Sequence, residues 1–469
     1  MLKGKQQEVL NLPYDGHGIV CGVAGSGKSY CAVKRARFLK DVTMEKVLLL
    51  TFNNSLINYM VDKADDLLND INVTTYHKFI TNCMRQNGLI GYNEILSYEN
   101  KKNKYIEEAI ENVIKKLGIN STLKRKEFII EEIDWMQRFG ALDRDVYLNI
   151  ERSGRKAANI RLENRKYVFD VYEEYISIRS NHGYKYDWSD IAYYFNKFVK
   201  QGKVKNSYKH VIIDEAQDFS PMMIQSIVNY IKDEGSVLYL GDRAQQIYGK
   251  GKMSWKKLGL KVNKVYTLEE NYRNSKEIQD FANEIRKGLE LEIEDGYSTV
   301  YSTRNGEKPK VISFNNQINE DNYIIEKTME LSKNGTSCII VKTKEQMNYY
   351  KDILVKELIY PIIIDRDNKD FPKDKQVFIG TFQSVKGLEF SNVIIPRCTD
   401  ENLIKSNIDT LLLSQDELEE KLNDISKLVY VAITRAKNNL IITYTNELVT
   451  IIHKDNKIAD FEDGDMNER

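Results

Sequence analysis

Eight residues near the N-terminus have the types and spacing of a phosphate-binding loop. Residues 22–29 read GVAGSGKS and satisfy G-x-x-x-x-G-K-[ST], between an apolar run and a helical pattern. In such a loop the glycines let backbone N–H groups surround phosphates, while Lys28 reaches the β- and γ-phosphates and Ser29 ligates Mg²⁺. The predicted nucleotide contacts are Gly22, Ala24, Gly25, Ser26, Gly27, Lys28 and Ser29. Kinases, GTPases, transporters and motors share this pattern, so by itself it predicts only a nucleotide site.

A second candidate lies at residues 211–218, which read VIIDEAQD. An apolar strand that ends at Asp214 is the usual source of a second Mg²⁺ contact, and Glu215 can orient or deprotonate the attacking water. GTPases more often position water with glutamine, so the adjacent carboxylates favour ATP hydrolysis. The alternative is a strand that simply ends in an acidic turn.

The elements that must position these residues alternate between strand and helix. Apolar runs at 18–21 and 47–50, each followed by a helical pattern, predict parallel strands in a doubly wound α/β domain. Helical periodicity dominates from about 80 to 205 and predicts a helical insertion. Strand candidates then return at 211–213, 237–240, 311–314, 338–341, 377–380, 393–396 and 440–444, and the acidic last residues, DFEDGDMNER, are predicted to be frayed.

Composition narrows the class of protein. The 469 residues are 42% hydrophobic and include no apolar run of the ~18–20 residues needed to cross a bilayer, so we expect a cytoplasmic protein without membrane contact. The five cysteines are scattered, which argues against a zinc site or a disulfide framework and favours unpaired, mostly buried thiols. Basic and acidic residues balance at 69 each, so any nucleic-acid path must be local. The stretch 152–166 is the densest basic candidate; its alternative is a solvated helix face.

The two candidate segments belong to an ordered series of motifs. In chain order these are Thr51-Phe52-Asn53, Thr75-Tyr76-His77, GDRAQQIY at 241–248, LEENYR at 268–273, KGLEF at 386–390 and VAITRAK at 431–437. With this series the chain resembles superfamily 1 helicases of the UvrD/Rep type, from residue 6 to residue 440. The resemblance implies an α/β fold of two RecA-like P-loop motor domains with parallel sheets and a helical insertion in the first. The implied boundaries are 1–80 and 205–275 for the first motor domain, 81–204 for the insertion, 276–450 for the second motor domain and 451–469 for a tail.

The resemblance also implies roles for individual residues. Around ATP, Gln6 reads the adenine, Tyr272 lies beside the base and Glu389 touches the ribose. Gln245, Arg273 and Arg435 act on the γ-phosphate, although either arginine alone could equally form a surface salt bridge. The implied DNA contacts are Phe52, Asn53, Tyr76, His77, Tyr248 and Thr381, with Trp255 nearby as a DNA contact or a core residue.

The function that this resemblance implies is an ATP-driven translocase or helicase on single-stranded DNA, moving 3′→5′ in DNA repair, recombination or mobile-element biology. It would use ATP and Mg²⁺, bind a single strand or a duplex with a 3′ overhang, and work with a possible protein partner such as a nuclease. Only 107 residues separate Arg273 from Thr381, so the further helical domain of larger relatives (2B) is predicted to be missing or vestigial. This leaves open an alternative, a DNA-sensing ATPase subunit that regulates a partner effector. A non-motor P-loop NTPase does not explain Gln245, Arg273 and Arg435 in this order.

Overall fold

The computed structural model describes residues 2, 4–52, 57, 67, 69–118, 120–152, 160–231, 234–242, 258–260, 262–287, 301–364, 376–404, 415–455 and 457–465. The strands are β1 (Gly16–Gly22), β2 (Val47–Thr51), β3 (Asn72–Thr75), β4 (Ile95–Leu96), β5 (Tyr186–Asp187), β6 (His210–Ile213), β7 (Ser236–Gly241), β8 (Val262–Leu268), β9 (Glu270–Asn271), β10 (Tyr301–Ser302), β11 (Lys310–Phe314), β12 (Ser337–Val341), β13 (Ile362–Ile364), β14 (Val377–Thr381), β15 (Phe390–Ile395), β16 (Ala436–Thr445) and β17 (Asp460–Asp463). The α-helices are Lys5–Leu10, Lys28–Thr43, Tyr76–Gln86, Glu99–Leu117, Lys126–Phe139, Arg144–Asn149, Leu162–Asn181, Ile191–Lys200, Pro221–Tyr230, Lys276–Lys287, Gln317–Ser332, Lys344–Lys356, Asp400–Leu403 and Gln415–Ile433, and Ala216–Asp218 is a 3₁₀-helix.

The first sheet has six parallel strands in the order β3-β2-β6-β7-β1-β8. Its central strands are apolar throughout because both faces are covered: Leu48 and Leu50 of β2 enter one core, and Val47 and Leu49 enter the core on the opposite face. The carboxyl ends of β1, β6 and β7 lie at one edge, so the segments that follow these strands meet there. This edge is where parallel α/β sheets bind ligands.

Helices between the strands β3 and β6 form a unit with its own core. Residues of Glu99–Leu117, Lys126–Phe139 and Leu162–Asn181 pack around one another, with Trp135 and Tyr175 among the buried side chains. The helix Ile191–Lys200 instead packs into the core of the first sheet, although the sequence boundary groups it with the insertion. The predicted residue boundaries of the domains stay predictions.

The second sheet has seven parallel strands in the order β13-β14-β12-β15-β16-β11-β17. Successive side chains of β12 enter two different cores, as those of β2 do. Cys338 and Ile340 lie on one face of the sheet, and Ile339 and Val341 lie on the other. The prediction that the acidic end is frayed is wrong for residues 460–463, which form β17 at the edge of this sheet. An edge strand pairs through its backbone, so an apolar run is not required there.

Together the two parallel sheets confirm the predicted fold class, an α/β protein with two RecA-like domains. No disulfide joins the five cysteines, all of which lie in the described residues, and four of them are buried, as predicted. Within the described residues, no helix combines the length and the apolar character that crossing a bilayer requires.

Candidate functional site

The phosphate-binding loop connects β1 to the helix Lys28–Thr43. Gly25 and Gly27 have φ angles of 74° and 80°, in the left-handed region that residues with a Cβ rarely adopt. The Lys28 ammonium lies inside the loop, where it donates to the carbonyl oxygens of Gly22 and Val23 at 2.9 Å each. The N-cap of the helix is Gly27, which has no side chain to occupy the first N–H groups. The loop therefore offers backbone donors and an ammonium to a phosphate.

Asp214 stands at the end of β6 with a fully buried carboxyl group. Neither of its oxygens completes a hydrogen bond with the residues that the structure describes. Burial and the charge of Glu215 raise the pKa of Asp214 to about 7, and the Ser29 hydroxyl and the Lys28 ammonium oppose that rise. An unpartnered buried carboxylate near a serine hydroxyl fits Mg²⁺, which prefers oxygen ligands. The described residues contain no group of three or more His, Cys, Asp or Glu arranged around a metal, so water and phosphate oxygens would complete the coordination.

Glu215 is held in an uncommon backbone conformation next to Asp214. Its φ of 51° is in the left-handed region, which is infrequent for a residue other than glycine. Gln217 links the ends of β6 and β7. Its amide donates to the Glu215 carboxylate after β6, and its carbonyl accepts the N–H of Asp242 after β7 at 2.9 Å. Burial alone would raise the pKa of Glu215, but Lys28, Lys386 and Arg435 lower it below its usual value. The carboxylate is thus kept ionised and oriented, as a general base requires.

Two arginines of the predicted site, Arg273 and Arg435, lie near each other. The Arg273 guanidinium forms an ion pair with Glu389 at 2.9 Å, and Glu389 also pairs with Lys437. Arg435 is only 1% exposed and donates to the carbonyl oxygens of Val431 and Leu388 at 2.9 and 3.1 Å. Burial and the nearby Arg273 charge lower the pKa of Arg435 to about 10, while Glu215 acts in the opposite direction. The fold therefore brings Arg435 close enough to interact electrostatically with both Arg273 and Glu215.

Buried polar contacts join the two sheets beside the site. The Asn274 amide donates to the carbonyl oxygens of Thr434 and Ala436, which flank Arg435, at 3.2 and 2.5 Å. The Tyr272 N–H donates to the Gly25 carbonyl oxygen at 2.9 Å. The phosphate-binding loop, the segment 271–274 and the turn that carries Arg435 are thus bonded in series.

A second interdomain contact lies near Glu215. The Lys386 ammonium, from the loop between β14 and β15, donates to the Asp218 carboxylate at 2.5 Å. Both side chains are almost fully buried, at 6% and 3% exposure. Burial and the Glu215 charge raise the pKa of Asp218 to about 6, and Lys386 opposes that rise.

The predicted base-binding residues lie around the outer end of the loop. The Gln6 amide donates to the Ser26 carbonyl oxygen at 2.9 Å, and Gln6 is 7% exposed. The Tyr272 hydroxyl donates to Glu270. Tyr30, on the first turn of the helix, is 40% exposed and carries the Lys34 ammonium over its ring. The contacts of Gln6 and Tyr272 with adenine, and of Glu389 with ribose, stay predictions.

An aromatic row lies at the ends of β2 and β3. The half-buried ring of Phe52 is 6.0 Å from the ring of His77, which is 5.1 Å from the ring of Trp188. Trp188 is 37% exposed, and its carbonyl oxygen lies 3.3 Å from His77 Nε2. The rings meet edge to face, and Trp188 is the most exposed of the three, with Phe52 and His77 half-buried.

The structure corrects the prediction that the Tyr76 side chain contacts DNA. Tyr76 is fully buried, its hydroxyl lies 2.7 Å from Ser226 Oγ, and its ring packs against Phe219. Tyr76 begins a helix whose N-cap is Thr75, and this geometry turns its ring into the core while the next residue, His77, stays at the surface. The buried ring of Tyr76 packs against the ring of His77 and so supports the aromatic row.

Two family models match the chain, in the order of its two sheets. The UvrD/REP helicase N-terminal domain matches residues 2–251, and the UvrD-like helicase C-terminal domain matches residues 356–447. The chain belongs to the UvrD/REP helicase family. Membership of a helicase family implies ATP use at the level of the family, and no membrane-crossing helix is found in the described part of this UvrD-like chain.

Relatives within the family are distant. A probable DNA helicase II homolog of Mycoplasma capricolum subsp. capricolum is 23% identical over 399 residues, covering 79% of this chain and 50% of that protein. The ATP-dependent DNA helicase PcrA of Staphylococcus aureus is 24% identical over 369 residues, covering 73% and 48%. One ATP-dependent helicase/nuclease subunit of Lactococcus lactis subsp. cremoris is 23% identical over 278 residues, covering 49% and 23%. The chain spans about half the length of the first two of these relatives.

Four of the predicted site residues lie outside the described residues: Asn53, Gln245, Tyr248 and Trp255. Thr381 ends β14 and is half-buried, and its N–H donates to Ser384 Oγ at 2.8 Å within a tight turn. The roles of these five residues in this UvrD/REP family member stay predictions.

Sequence reasoning missed three residues that the structure places at the site. Trp188 follows a two-residue strand in a helical region, and only its aromatic type between two acids could have marked it. Gln217 lies inside the VIIDEAQD segment and Lys386 opens the KGLEF segment, yet neither was assigned a role. Lys386 pairs with Asp218 across 168 residues and Gln217 accepts from Asp242 across 25, so no local pattern identifies these contacts.

Proposed function

We propose that this protein is an ATP-driven translocase on single-stranded DNA, moving 3′→5′ as its family resemblance implies. The observation that carries the proposal is that charged residues from two domains meet. Lys28, Asp214 and Glu215 follow strands of the first sheet. Arg435 directly precedes β16 of the second sheet, and Arg273 lies near Arg435. An isolated phosphate-binding loop would not need charges delivered across a domain interface.

The chemistry of the site suits phosphoryl transfer to water. Lys28 and the loop N–H groups bind the phosphates, and Glu215 orients the attacking water and takes up its proton. Mg²⁺ held by Ser29 and Asp214 would neutralise charge on the phosphate oxygens. Arg273 and Arg435 stabilise the charge that develops on the γ-phosphate, where arginines contribute roughly 10³–10⁵ in rate. Arg273 must exchange Glu389 for phosphate, so nucleotide binding rearranges the domain interface.

The aromatic row supplies the surface for the nucleic acid. Exposed rings bind single strands by stacking on the bases, which is tolerant of sequence. Phe52, His77 and Trp188 are proposed to provide this contact in the first domain, and Thr381 in the second. ATP-driven closure of the two sheets would then move one group of contacts relative to the other.

The test is ATP hydrolysis with and without single-stranded DNA. We expect strong stimulation by the strand, and for Glu215→Gln we expect ATP binding with almost no turnover. Lys28→Ala should lose most nucleotide affinity, because it removes the ammonium that reaches the phosphates. An ATPase rate indifferent to single-stranded DNA would overturn the proposal.

A second candidate is a DNA-sensing ATPase that switches a partner effector without separating strands. It is favoured by the short interval between Arg273 and Thr381. The described residues of that interval include β11–β14 and the helices Lys276–Lys287, Gln317–Ser332 and Lys344–Lys356, so they are occupied in building the second domain. The described residues of this interval therefore add no separate unit that could act as a wedge.

Strand separation distinguishes the two candidates. Duplexes with a 3′ or a 5′ overhang are mixed with the protein and ATP, and release of the shorter strand is followed by fluorescence. Release from the 3′-overhang duplex alone supports the 3′→5′ helicase. Stimulated ATP hydrolysis without release from either duplex supports the DNA-sensing ATPase.

A further inference from the structure

A short segment, residues 301–306 (the strap), lies against the part of the chain that carries Arg273. Its strand β10 pairs in parallel with β9, the strand that precedes this arginine. The Ser302 hydroxyl of the strap donates to the Asn274 carbonyl oxygen at 2.6 Å. The strap is therefore bonded to the chain on both sides of Arg273.

The Arg304 guanidinium of the strap joins the backbone at Arg273 to the turn that carries Arg435. Its Nη1 donates to the Arg273 carbonyl oxygen at 3.2 Å. Its Nη2 donates to Asn438 Oδ1 at 2.5 Å and to the Lys437 carbonyl oxygen at 3.4 Å. Lys437 and Asn438 follow shortly after Arg435, at the start of β16. Because a guanidinium is a planar group with fixed spacing between its nitrogens, it holds these two segments at one distance.

Both backbone polar groups of Arg273 have hydrogen-bond partners. Its N–H donates to Asn271 Oδ1 at 2.8 Å, and its carbonyl oxygen accepts from Arg304. The side chain instead pairs with Glu389 and has to leave that partner to reach a γ-phosphate. A side chain that moves between two partners reaches a defined position only when its own backbone is fixed. The bond from Arg304 supplies part of that fixed backbone.

Arg304 differs from Asn274, the other residue that bonds to the turn of Arg435. Asn274 is fully buried, so replacing it would leave buried carbonyl oxygens without donors and would destabilise the fold. Arg304 is exposed, and its hydrogen bonds lie at the surface. Because surface substitutions usually change stability little, the effect of Arg304 on the site can be measured in a folded protein.

We infer that Arg304 is a positioning residue for ATP hydrolysis, which fixes the backbone of Arg273 relative to that of Arg435. The inference rests on the ATP hydrolysis of the proposed function and adds to it a residue that lies outside the motif segments of the sequence. Arg304 acts through Arg273, so it contributes to the transition state for hydrolysis and not to the binding of ATP.

The test is a double-mutant cycle on the full chain. Arg304→Met, Arg273→Ala and the double variant are compared with wild type, and kcat and KM for ATP are measured with and without a saturating single strand. Arg304→Lys retains the charge without the two-armed geometry of a guanidinium. Lys310→Met is the matched control, because Lys310 is a nearby cation in the chain whose partner, Glu462, lies on the edge strand β17. Thermal unfolding monitors the fold of each variant.

We expect Arg304→Met to lower kcat by about tenfold and to leave the KM for ATP within about threefold of wild type, since a misplaced γ-phosphate contact costs rate more than affinity. Arg304→Lys should be nearly as slow, and Lys310→Met should match wild type. In the Arg273→Ala background, Arg304→Met should lower kcat by no more than about twofold further, because a residue that acts through Arg273 then has nothing left to position.

Four outcomes would contradict the inference. A folded Arg304→Met with the wild-type kcat would overturn it alone, and so would a full tenfold loss in the Arg273→Ala background, since Arg304 would then act independently of Arg273. Recovery of kcat in Arg304→Lys would mean that charge suffices without the two-armed contact. A wild type that hydrolyses no ATP would overturn the inference and the proposed function together. ATP hydrolysis that DNA does not change would instead overturn only the proposed function, because the cycle is also measured without DNA.

Discussion

At the residue scale, the segment 214–218 contains three carboxyl groups whose surroundings give them different acidities. Asp214 has a pKa raised to about 7 by burial and by its neighbour Glu215. For Glu215, burial raises the pKa, but three surrounding cations together lower it. For Asp218, burial and the Glu215 charge outweigh the opposing charges of Lys386 and Arg138, and its pKa is raised to about 6. These differences support the proposed roles of Glu215 as the base and Asp214 as a metal ligand, because a general base must be ionised and a metal ligand can exchange its proton for the cation.

Asp218→Asn should change how the stability of the protein depends on pH. The folded pKa of about 6 lies above the ordinary value of 3.8, so the stability that Asp218 contributes is fully present below about pH 4 and is lost as the pH rises through 6. From about pH 4 to 7 the wild type should lose about 3 kcal/mol relative to Asp218→Asn. Urea unfolding across this range measures the difference. Asp352→Asn on an exposed helix controls for the lost charge, and a pH-independent difference for Asp218→Asn would contradict the prediction.

At the element scale, the loop that presents Trp188 is held by a buried ionic network. The Arg179 guanidinium binds Asp187 at 2.9 Å and Asp190 at 2.6 Å, on either side of Trp188, and Lys102 binds Asp187 at 3.4 Å. Gln137 and Tyr175 also donate to Asp187, at 2.8 and 2.6 Å. The helical unit thereby fixes the position of a ring that belongs to the aromatic row of the first domain. The network therefore stabilises part of the surface on which DNA is proposed to bind.

Trp188→Ala should weaken binding of single-stranded DNA. Loss of one stacking ring costs roughly 1–3 kcal/mol, or about 5- to 150-fold in dissociation constant. Tyr76→Phe is the control, since Tyr76 lies in the core and its hydroxyl contacts Ser226; this variant should bind the strand as wild type does. Fluorescence anisotropy with a labelled oligonucleotide measures both. Equal affinities of Trp188→Ala and wild type would rule out Trp188 as a stacking residue.

Arg179→Met should strongly destabilise the helical unit. The substitution leaves two buried carboxylates without their shared cation, which costs roughly 3–5 kcal/mol. Arg144→Met is the matched control, because Arg144 pairs with Asp170 and Glu173 at the surface and should cost about 1 kcal/mol or less. Denaturant unfolding followed by tryptophan fluorescence gives both values. Similar costs for the two variants would show that the network is not a stabilising element.

At the scale of the whole molecule, the proposed ATP site is divided between two parallel sheets, and buried polar contacts join these sheets near it. Asn274 bonds to the turn that carries Arg435, and Lys386 pairs with Asp218. Closure of the sheets therefore acts directly on the groups that would hydrolyse ATP. With a net charge of zero, the proposed strand would be held by local charges and rings instead of a general basic field.

Binding of single-stranded DNA should nevertheless depend on salt. Each phosphate neutralised contributes a slope of about −0.7 to log K against log salt concentration, so two or more contacts give a slope steeper than about −1.4. The measurement is a titration with one oligonucleotide at several potassium chloride concentrations. A slope near zero would mean that stacking alone holds the strand.

The sequence by itself determined the features whose chemistry is local. The GVAGSGKS loop and the Asp214–Glu215 pair each lie in one short strand-turn segment, so residue order fixes their geometry. The order of the motifs and the continuous apolar runs likewise predicted two parallel sheets with a helical unit between strands of the first. Edge strands such as β17 escaped prediction because pairing through the backbone leaves little trace in side-chain type.

Only the tertiary structure decided which side chains face one another and which face solvent. Tyr76 and His77 are neighbours in the same sequence motif. Tyr76 lies in the core and His77 lies at the surface, because the start of the helix turns their side chains in different directions. Trp188 reaches His77 across 111 residues of chain, and Lys386 reaches Asp218 across 168. Such pairs depend on how distant elements pack, and packing is a property of the assembled core that no local pattern contains.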